Sequence, residues 1–310
     1  MIIFNELNLK KRIELPIAMT IGSFDGIHSG HKYLLDCFIN ESNKRGLKKL
    51  LMTFDFDEHK HREVSKFLTT KREKQYIISK LGIDYLWFLP FNEYILNMSY
   101  EDFFNNIILK NLNLKLYFCG KDHTVGANKK GNTFFLKKFA QRHGFELHDI
   151  SLKKDNKIKV SSSIIRDLIL KDNLQQANKL LGHYYFLVGS VVKGDGIGRE
   201  LGFPTANLDY FDWKILPGNG VYFGTIKVED KLFKCLIYIG TRPTLSGDNH
   251  RVEVHILDFN KHIYDKEVVV YFVKKLREDR KFSGPAALRR QIEDDIKACV
   301  NEQFSETFCI

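Results

Sequence analysis

Nowhere in the 310 residues does an apolar run approach the roughly 20 needed for a helix to cross a bilayer, so no membrane partner is expected. The first residues, MIIFNELNLKKRIEL, scatter acidic and basic side chains through the stretch and do not read as a signal peptide. No CxxC pair occurs. The five cysteines (Cys37, Cys119, Cys235, Cys299 and Cys309) are odd in number and widely spaced, the pattern of free thiols in a reducing cytoplasm rather than of a disulfide frame. Internal repeats and low-complexity segments are missing, and no RNP-like aromatic platform marks a nucleic-acid module. The formal net charge of +10 is spread over most segments instead of gathering in one tail. It favours anionic partners without specifying them, and nucleic acid is not the expected one. The basic stretch HKHR at 59–62 reads as a solvated loop.

What is present is enough apolar residue, 44%, for ordinary packed cores, and a length that favours two domains over one. Up to about residue 150, short apolar runs rich in branched and aromatic residues alternate with stretches of helical spacing. The runs are AMTIG (18–22), KLLMTF (49–54), YLWFLPF (85–91), LYFCG (116–120) and a weaker ELHDI (146–150). SYEDFFNNIILK opens with Ser99 as an N-cap and Asp102 three residues on. This alternation predicts a doubly wound parallel α/β domain, with ligands at the carboxyl ends of the strands. After about residue 183 the pattern becomes strand after strand with glycine turns, then one amphipathic helix with Pro285 in its first turn. That predicts a small antiparallel β-barrel with a terminal helix. The expected division is 1–182 and 183–310, with SSSIIRDLILKDNLQQANKLLGHYY bridging as one or two helices.

Two stretches carry chemistry. TIGSFDGIHSGH (20–31) runs from strand through a glycine turn to a helix. Gly22 and Gly26 allow close backbone approach to a ligand, and the free N–H groups of the helix entrance favour an anion. His28 and His31, three apart, can offer two imidazoles near that entrance. Taken singly, each histidine reads more readily as a satisfied polar residue than as a phosphate donor. A zinc pair is a further reading, though no third and fourth ligand follows at metal spacing. KGDGIGRELGFPTANL (193–208) places Gly194, Gly196 and Gly198 before Arg199 and then stiffens at Pro204. On its own, such a loop is either a flexible hairpin or a phosphate cradle.

Taken whole, GSFDGIHSGH resembles the GxFDGxHxGH signature of the adenylyl-transfer module of bacterial riboflavin kinase/FAD synthetases, a branch of the HxGH nucleotidyltransferases. The segment 193–208 resembles the kinase signature GxGxGRxLGFPTANL of the same family almost residue for residue. GVYFGTI (220–226), YIGTRPTL (238–245), RVEVHILDF (251–259) and LREDRKFSGPAALRRQIEDD (276–295) follow in family order, so the likeness covers nearly all of 15–305. The resemblance implies ATP and phosphate contacts at Gly22, Phe24, Asp25 and Gly26, catalytic roles for His28 and His31, and, through KVSSSIIRDLI, phosphate contacts from Ser162, Ser163 and Arg166. In the kinase half it implies that Gly194, Gly196, Gly198 and Arg199 fold over a triphosphate. Thr205 and Asn207 would hold Mg²⁺ or a similar divalent ion through hard neutral oxygens, and Glu253 would be the general base. Alternation along its strand puts Glu253 and His255 on one face, Val252 and Val254 on the other.

Two segments depart from the family pattern. TFDFDEHK (53–60) keeps the acidic position at Asp55 but lacks the His-Pro of the family's TFDPHP-like run. GKDHTVGANKKGN (120–132) keeps Gly120, Asp122 and Gly126 of a GxDFxFG-like segment, while His123 and Val125 replace its two phenylalanines. Asp55, Asp122, His123 and Val125 are the expected flavin side of the first site. The implied function is ATP-dependent phosphorylation of riboflavin to FMN, followed by adenylylation of FMN to FAD. Two alternatives stand beside it: a kinase alone, with the first site altered, and a flavin- or RNA-binding regulator.

Overall fold

Strand β2 (Ile13–Ile21) lies inside a six-stranded sheet of order β1-β4-β3-β2-β5-β8. In this computed structural model the described residues are 1–56, 66–151, 160–211, 213–244 and 247–310. The expected loop at 59–62 lies outside them. The other strands are β1 (Ile2–Phe4), β3 (Lys48–Asp55), β4 (Tyr85–Pro90), β5 (Leu112–Gly120) and β8 (Glu146–Ile150), and every pairing in the sheet is parallel. The last five residues of β2 are all buried, the mark of a strand covered on both faces. After β2 the chain builds β3 and β4 on one side and then crosses to β5 and β8 on the other. The carboxyl end of β2 is therefore a switch point of the kind where ligands enter such sheets.

The helices of this unit are α1 (Ser29–Lys44), α2 (Lys71–Ile78), the short α3 (Glu93–Leu96) and α4 (Tyr100–Asp102), and α5 (Thr133–His143). Ser99 does cap α4, accepting from Asp102 N–H at 3.0 Å, but the helix then widens to π geometry over Phe103–Leu109. Between β5 and α5 a two-residue ladder joins β6 (Thr124–Val125) to β7 (Gly131–Asn132). The N-terminal strand β1, short and at the sheet edge, was not among the five runs legible in the sequence.

The chain divides into two compact units, Met1–Ser65 with Thr69–Ser161, and Lys66–Leu68 with Ser162–Ile310. The second begins with α6 (Ser162–Leu170) and α7 (Leu174–Leu181) and continues with β9 (Tyr185–Val192), the one-turn α8 (Ile197–Glu200) and β10 (Ala206–Asp209). Then come β11 (Gly220–Val228), β12 (Lys231–Thr244), β13 (Gly247–Ile256), β14 (Glu267–Glu278) and α9 (Pro285–Asn301). The strands close an antiparallel barrel in the order β10-β13-β12-β11-β14-β9. Five of its strands stand out as apolar runs. The sixth, β10, hides inside the phosphate-loop signature and closes the ring by pairing with both β13 and β9.

Candidate active sites

In the first unit the loop between β2 and α1 is strained. Phe24 and Ile27 adopt positive φ of 45° and 39°, a region that costs a non-glycine residue on the order of 1–3 kcal/mol. Two things hold it there. Both side chains are buried. Asp25 accepts at Oδ1 from Thr69 N–H (3.0 Å) and Thr69 Oγ1–H (3.2 Å), while Thr69 Oγ1 accepts from Gly26 N–H (2.9 Å). Thr69 carries no signal in the sequence because its partner lies 44 residues away.

The loop delivers His28 to the N-cap of α1, where Nδ1 accepts from His31 N–H at 3.3 Å. That bond puts the ring proton of neutral His28 on Nε2, a donor. His31 stacks on His28 with centroids 3.7 Å apart and planes 13° off parallel. Burial lowers His28 from its usual 6.5 to about 4. It pushes His31 well below its usual value too, with the charges of His28 and Lys74 adding to the effect. At neutral pH both rings are therefore uncharged. His31 Nδ1 is buried and finds no hydrogen-bond partner among the described residues, an orphan of the kind a ligand atom satisfies.

Beside this entrance lies a cavity of ≈ 240 Å³, lined by Gly22, Ser23, Phe54, Phe91, Phe103, His123 and Val125, with Ile95 and Leu96 closing its apolar wall. The structure thus brings His123 and Val125 to the same space as Gly22. Asp55 and Asp122 are not among the lining residues: Asp55 pairs with Lys71 at 2.5 Å, and Asp122 is exposed. Ser162, Ser163 and Arg166 sit on α6, in the second unit, with Arg166 donating to Ser163 Oγ at 3.2 Å.

In the barrel, Glu253 projects from β13 while Val252 and Val254 are buried on the opposite face, as the alternation requires. Glu253 Oε2 accepts from Thr205 Oγ1–H at 2.9 Å, and Oε1 meets Arg251 Nε at 2.6 Å. Arg251 also donates to Asn207 Oδ1 (3.0 Å) and to Asp195 Oδ2 (3.2 Å) in the glycine loop. The glycines explain how the loop comes so near. A Cβ on Gly194 would stand 2.0 Å from Asn207 Nδ2, and one on Gly198 2.6 Å from the Phe203 carbonyl and 3.1 Å from Thr205 Oγ1. Gly196 has φ of 81° and precedes α8, whose Arg199 donates to Tyr264 OH at 3.1 Å.

Two cavities meet at Thr205, which lines both. One, ≈ 300 Å³, is edged by Arg199, Pro204, Lys261, His262 and Tyr264. The other, ≈ 280 Å³, is walled by Phe203, Tyr238, Phe282, Leu288 and Ile292 and carries Glu253 and Arg251. The first offers cationic and polar groups fit for phosphates, the second an apolar-walled slot that also carries charged side chains, Glu253, Asp279, Arg277 and Arg280 among them. Lys261, His262, Tyr264 and Arg251 were not singled out from sequence. Arg251 alone had a visible signal, two positions before Glu253 on the same strand face.

The chain thus holds one unit with a strained HxGH entrance and one barrel unit whose Glu253 lines a cavity, the architecture of a two-site transferase. Residues 10–164 match the FAD synthetase family and residues 181–302 the riboflavin kinase family. The chain is 36% identical, over 94% of its length and 95% of the relative's, to the bifunctional riboflavin kinase/FMN adenylyltransferase of Buchnera aphidicola subsp. Schizaphis graminum. It is 32% identical to that of Escherichia coli, covering 93% of both chains. A solved structure titled a macrolide-efflux protein from Streptococcus pneumoniae superimposes with a TM-score of 0.85 at 30% identity, covering 98% of this chain and 100% of that one. The chain belongs to the bifunctional riboflavin kinase/FMN adenylyltransferase family.

Proposed function

We propose that the chain makes flavin coenzymes in two steps at two separate sites, with ATP as co-substrate in both. The five free cysteines fit a reducing cytoplasm. The observation that carries the kinase step is the hydrogen bond from Thr205, which lines both cavities, to Glu253, which lines the second. Riboflavin occupies the apolar slot and ATP the other. Glu253 takes the proton of the terminal ribityl hydroxyl as that oxygen attacks the γ-phosphorus. The bond from γ-phosphorus to the β–γ bridging oxygen breaks, and ADP leaves with FMN formed. Gly194, Gly196, Gly198 and Arg199 close over the phosphates. Thr205 Oγ1 and Asn207 Oδ1 are neutral hard oxygens, and Asn207 Oδ1 already accepts from a cation, Arg251. They fit Mg²⁺ or a similar ion, which when bound would neutralise triphosphate charge.

In the first unit the FMN phosphate attacks the α-phosphorus of a second ATP, and pyrophosphate leaves as FAD forms. The loop at Gly22, Phe24, Asp25 and Gly26 and the entrance of α1 receive the phosphates. Neutral His28 donates from Nε2, and His31 Nδ1, without a partner among the described residues, gains one. Ser162, Ser163 and Arg166 are assigned to the same ATP, Arg166 through its planar fork. The flavin lies in the ≈ 240 Å³ cavity against His123 and Val125; Asp55 and Asp122 are assigned to the flavin by the family pattern alone. No protein nucleophile enters either step: alignment and charge stabilisation supply the rate.

Separate assays test the assignment. His28→Ala should lower FAD formation from FMN by about a hundredfold, on the order of 3 kcal/mol of barrier for one lost donor, with FMN formation within twofold of the parent. Glu253→Gln should do the reverse. Equal damage to both reactions by either change would defeat the two-site reading.

A further inference from the structure

The cavity beside the HxGH loop is apolar along most of its wall, lined by Phe54, Phe91, Phe103 and Val125 together with one polar ring, His123. That histidine stands where the family pattern has phenylalanine. It is held by a buried partner: Tyr117 OH lies 2.7 Å from His123 Nε2. Tyr117 is wholly buried in the core of the sheet. Burial drives its phenol well above the ordinary range, so the hydroxyl keeps its proton and needs an acceptor. Nε2 is the acceptor at hand, which leaves the ring proton on Nδ1. Burial also lowers His123 from 6.5 to about 4, so the ring is neutral and this one tautomer persists at neutral pH.

The backbone that bears His123 is clamped as well. A Cβ on Gly126 would stand 2.4 Å from Tyr100 N, and one on Gly131 2.5 Å from Tyr100 Cβ. The loop therefore sits directly on the start of α4, and the β6–β7 ladder joins its two sides. An oriented N–H on a fixed wall of an aromatic pocket is a specificity element: it favours a flat ring system with an acceptor on its edge over an equally apolar ring without one.

We propose that His123, oriented by Tyr117, is a flavin-selecting residue that donates from Nδ1 to a carbonyl oxygen or ring nitrogen on the edge of the isoalloxazine. The proposal rests on the assignment of this cavity to FMN. Where a phenylalanine would offer only its ring face or edge, histidine offers one directed hydrogen bond, while Phe54, Phe91 and Phe103 supply the apolar walls.

The test uses the full-length protein, FMN titrated without ATP by quenching of flavin fluorescence, and steady-state FAD formation. His123→Phe should weaken FMN binding about tenfold and raise KM for FMN by the same factor, with kcat within twofold. His123→Gln, which keeps an N–H donor, should recover binding to within threefold of the parent. Tyr117→Phe, which frees the imidazole to take either tautomer, should weaken binding about threefold. FMN formation from riboflavin should be unchanged in all three and reports that the chain is folded. If His123→Phe binds FMN as tightly as the parent, the donor role of His123 is overturned. Val125→Trp, which fills the cavity, addresses the underlying assignment. Loss of FAD formation from FMN, with FMN formation from riboflavin intact, upholds the cavity as the flavin site, and an unchanged KM for FMN in that variant overturns the site and the proposal together.

Discussion

His28 is both a structural cap and a candidate catalytic donor, and the two roles share one protonation state. Its Nδ1 must keep a lone pair to accept from His31 N–H, so protonation breaks the cap as well as placing a charge in a buried site. Because the folded-state value is lowered, from 6.5 to about 4, the unfolded chain binds the proton more readily between those limits. The stabilisation is complete above about pH 6.5 and is lost as pH falls toward 4, reaching about 2 kcal/mol by pH 5. Asparagine caps helices well and does not titrate. Denaturant unfolding of the parent and of His28→Asn at pH 7 and pH 5 should therefore show the parent losing about 2 kcal/mol more than the variant in the transition of the first unit. His31 titrates in the same direction, and part of its lowering comes from His28, so the difference reports His28 together with its effect on His31. An equal loss in the two would mean that the cap tolerates the proton.

The elements show why glycine is required where it stands, and how far a sequence can say so. GxGxGR announces a phosphate loop without indicating which glycine touches what. In the fold, Gly194 meets the amide of Asn207 and Gly198 meets the Phe203 carbonyl. The two should fail differently. Gly194→Ala pushes on a movable side chain, so the barrel should keep its stability while Asn207 is displaced and FMN formation falls about a hundredfold. Gly198→Ala pushes on backbone and should also destabilise the second unit, by about 1–3 kcal/mol. Thermal melts beside FMN-formation rates distinguish the cases, and equal melting of the two variants would count against the contact geometry. The parallel sheet, the barrel and the terminal helix were legible because apolar runs and helical spacing are local signals. Strand β10 was not, because ANLD serves the signature and the barrel at once. The Asp25–Thr69 lock and the pairing of His123 with Tyr117 depend on tertiary contact that no spacing announces. Arg251 lay in plain view beside Glu253, but an arginine on a strand face ordinarily solvates it. Only the fold shows it touching Glu253, Asn207 and Asp195 together.

At the scale of the whole chain, the question is which reaction α6 serves. The segment that matches FAD synthetase ends at residue 164, within that helix. Yet by its contacts the helix belongs with the barrel unit, where Ile165 and Ile169 are fully buried. Packing and chemistry need not agree: two buried isoleucines decide where the helix is anchored, while Ser163 and Arg166 on its polar side decide what it can bind. Arg166 donates from Nη2 to Ser163 Oγ, and a serine–arginine pair is a phosphate-binding combination in either reaction. Assignment to the adenylyl-transfer ATP makes a one-sided forecast. Arg166→Ala, which spares both isoleucines, should lower FAD formation from FMN by about a hundredfold and leave FMN formation from riboflavin within twofold. Arg166→Lys should recover little, since a point charge does not reproduce the fork. If FMN formation is the rate that falls, the helix works for the unit it is packed in, and Ser162, Ser163 and Arg166 belong to the kinase.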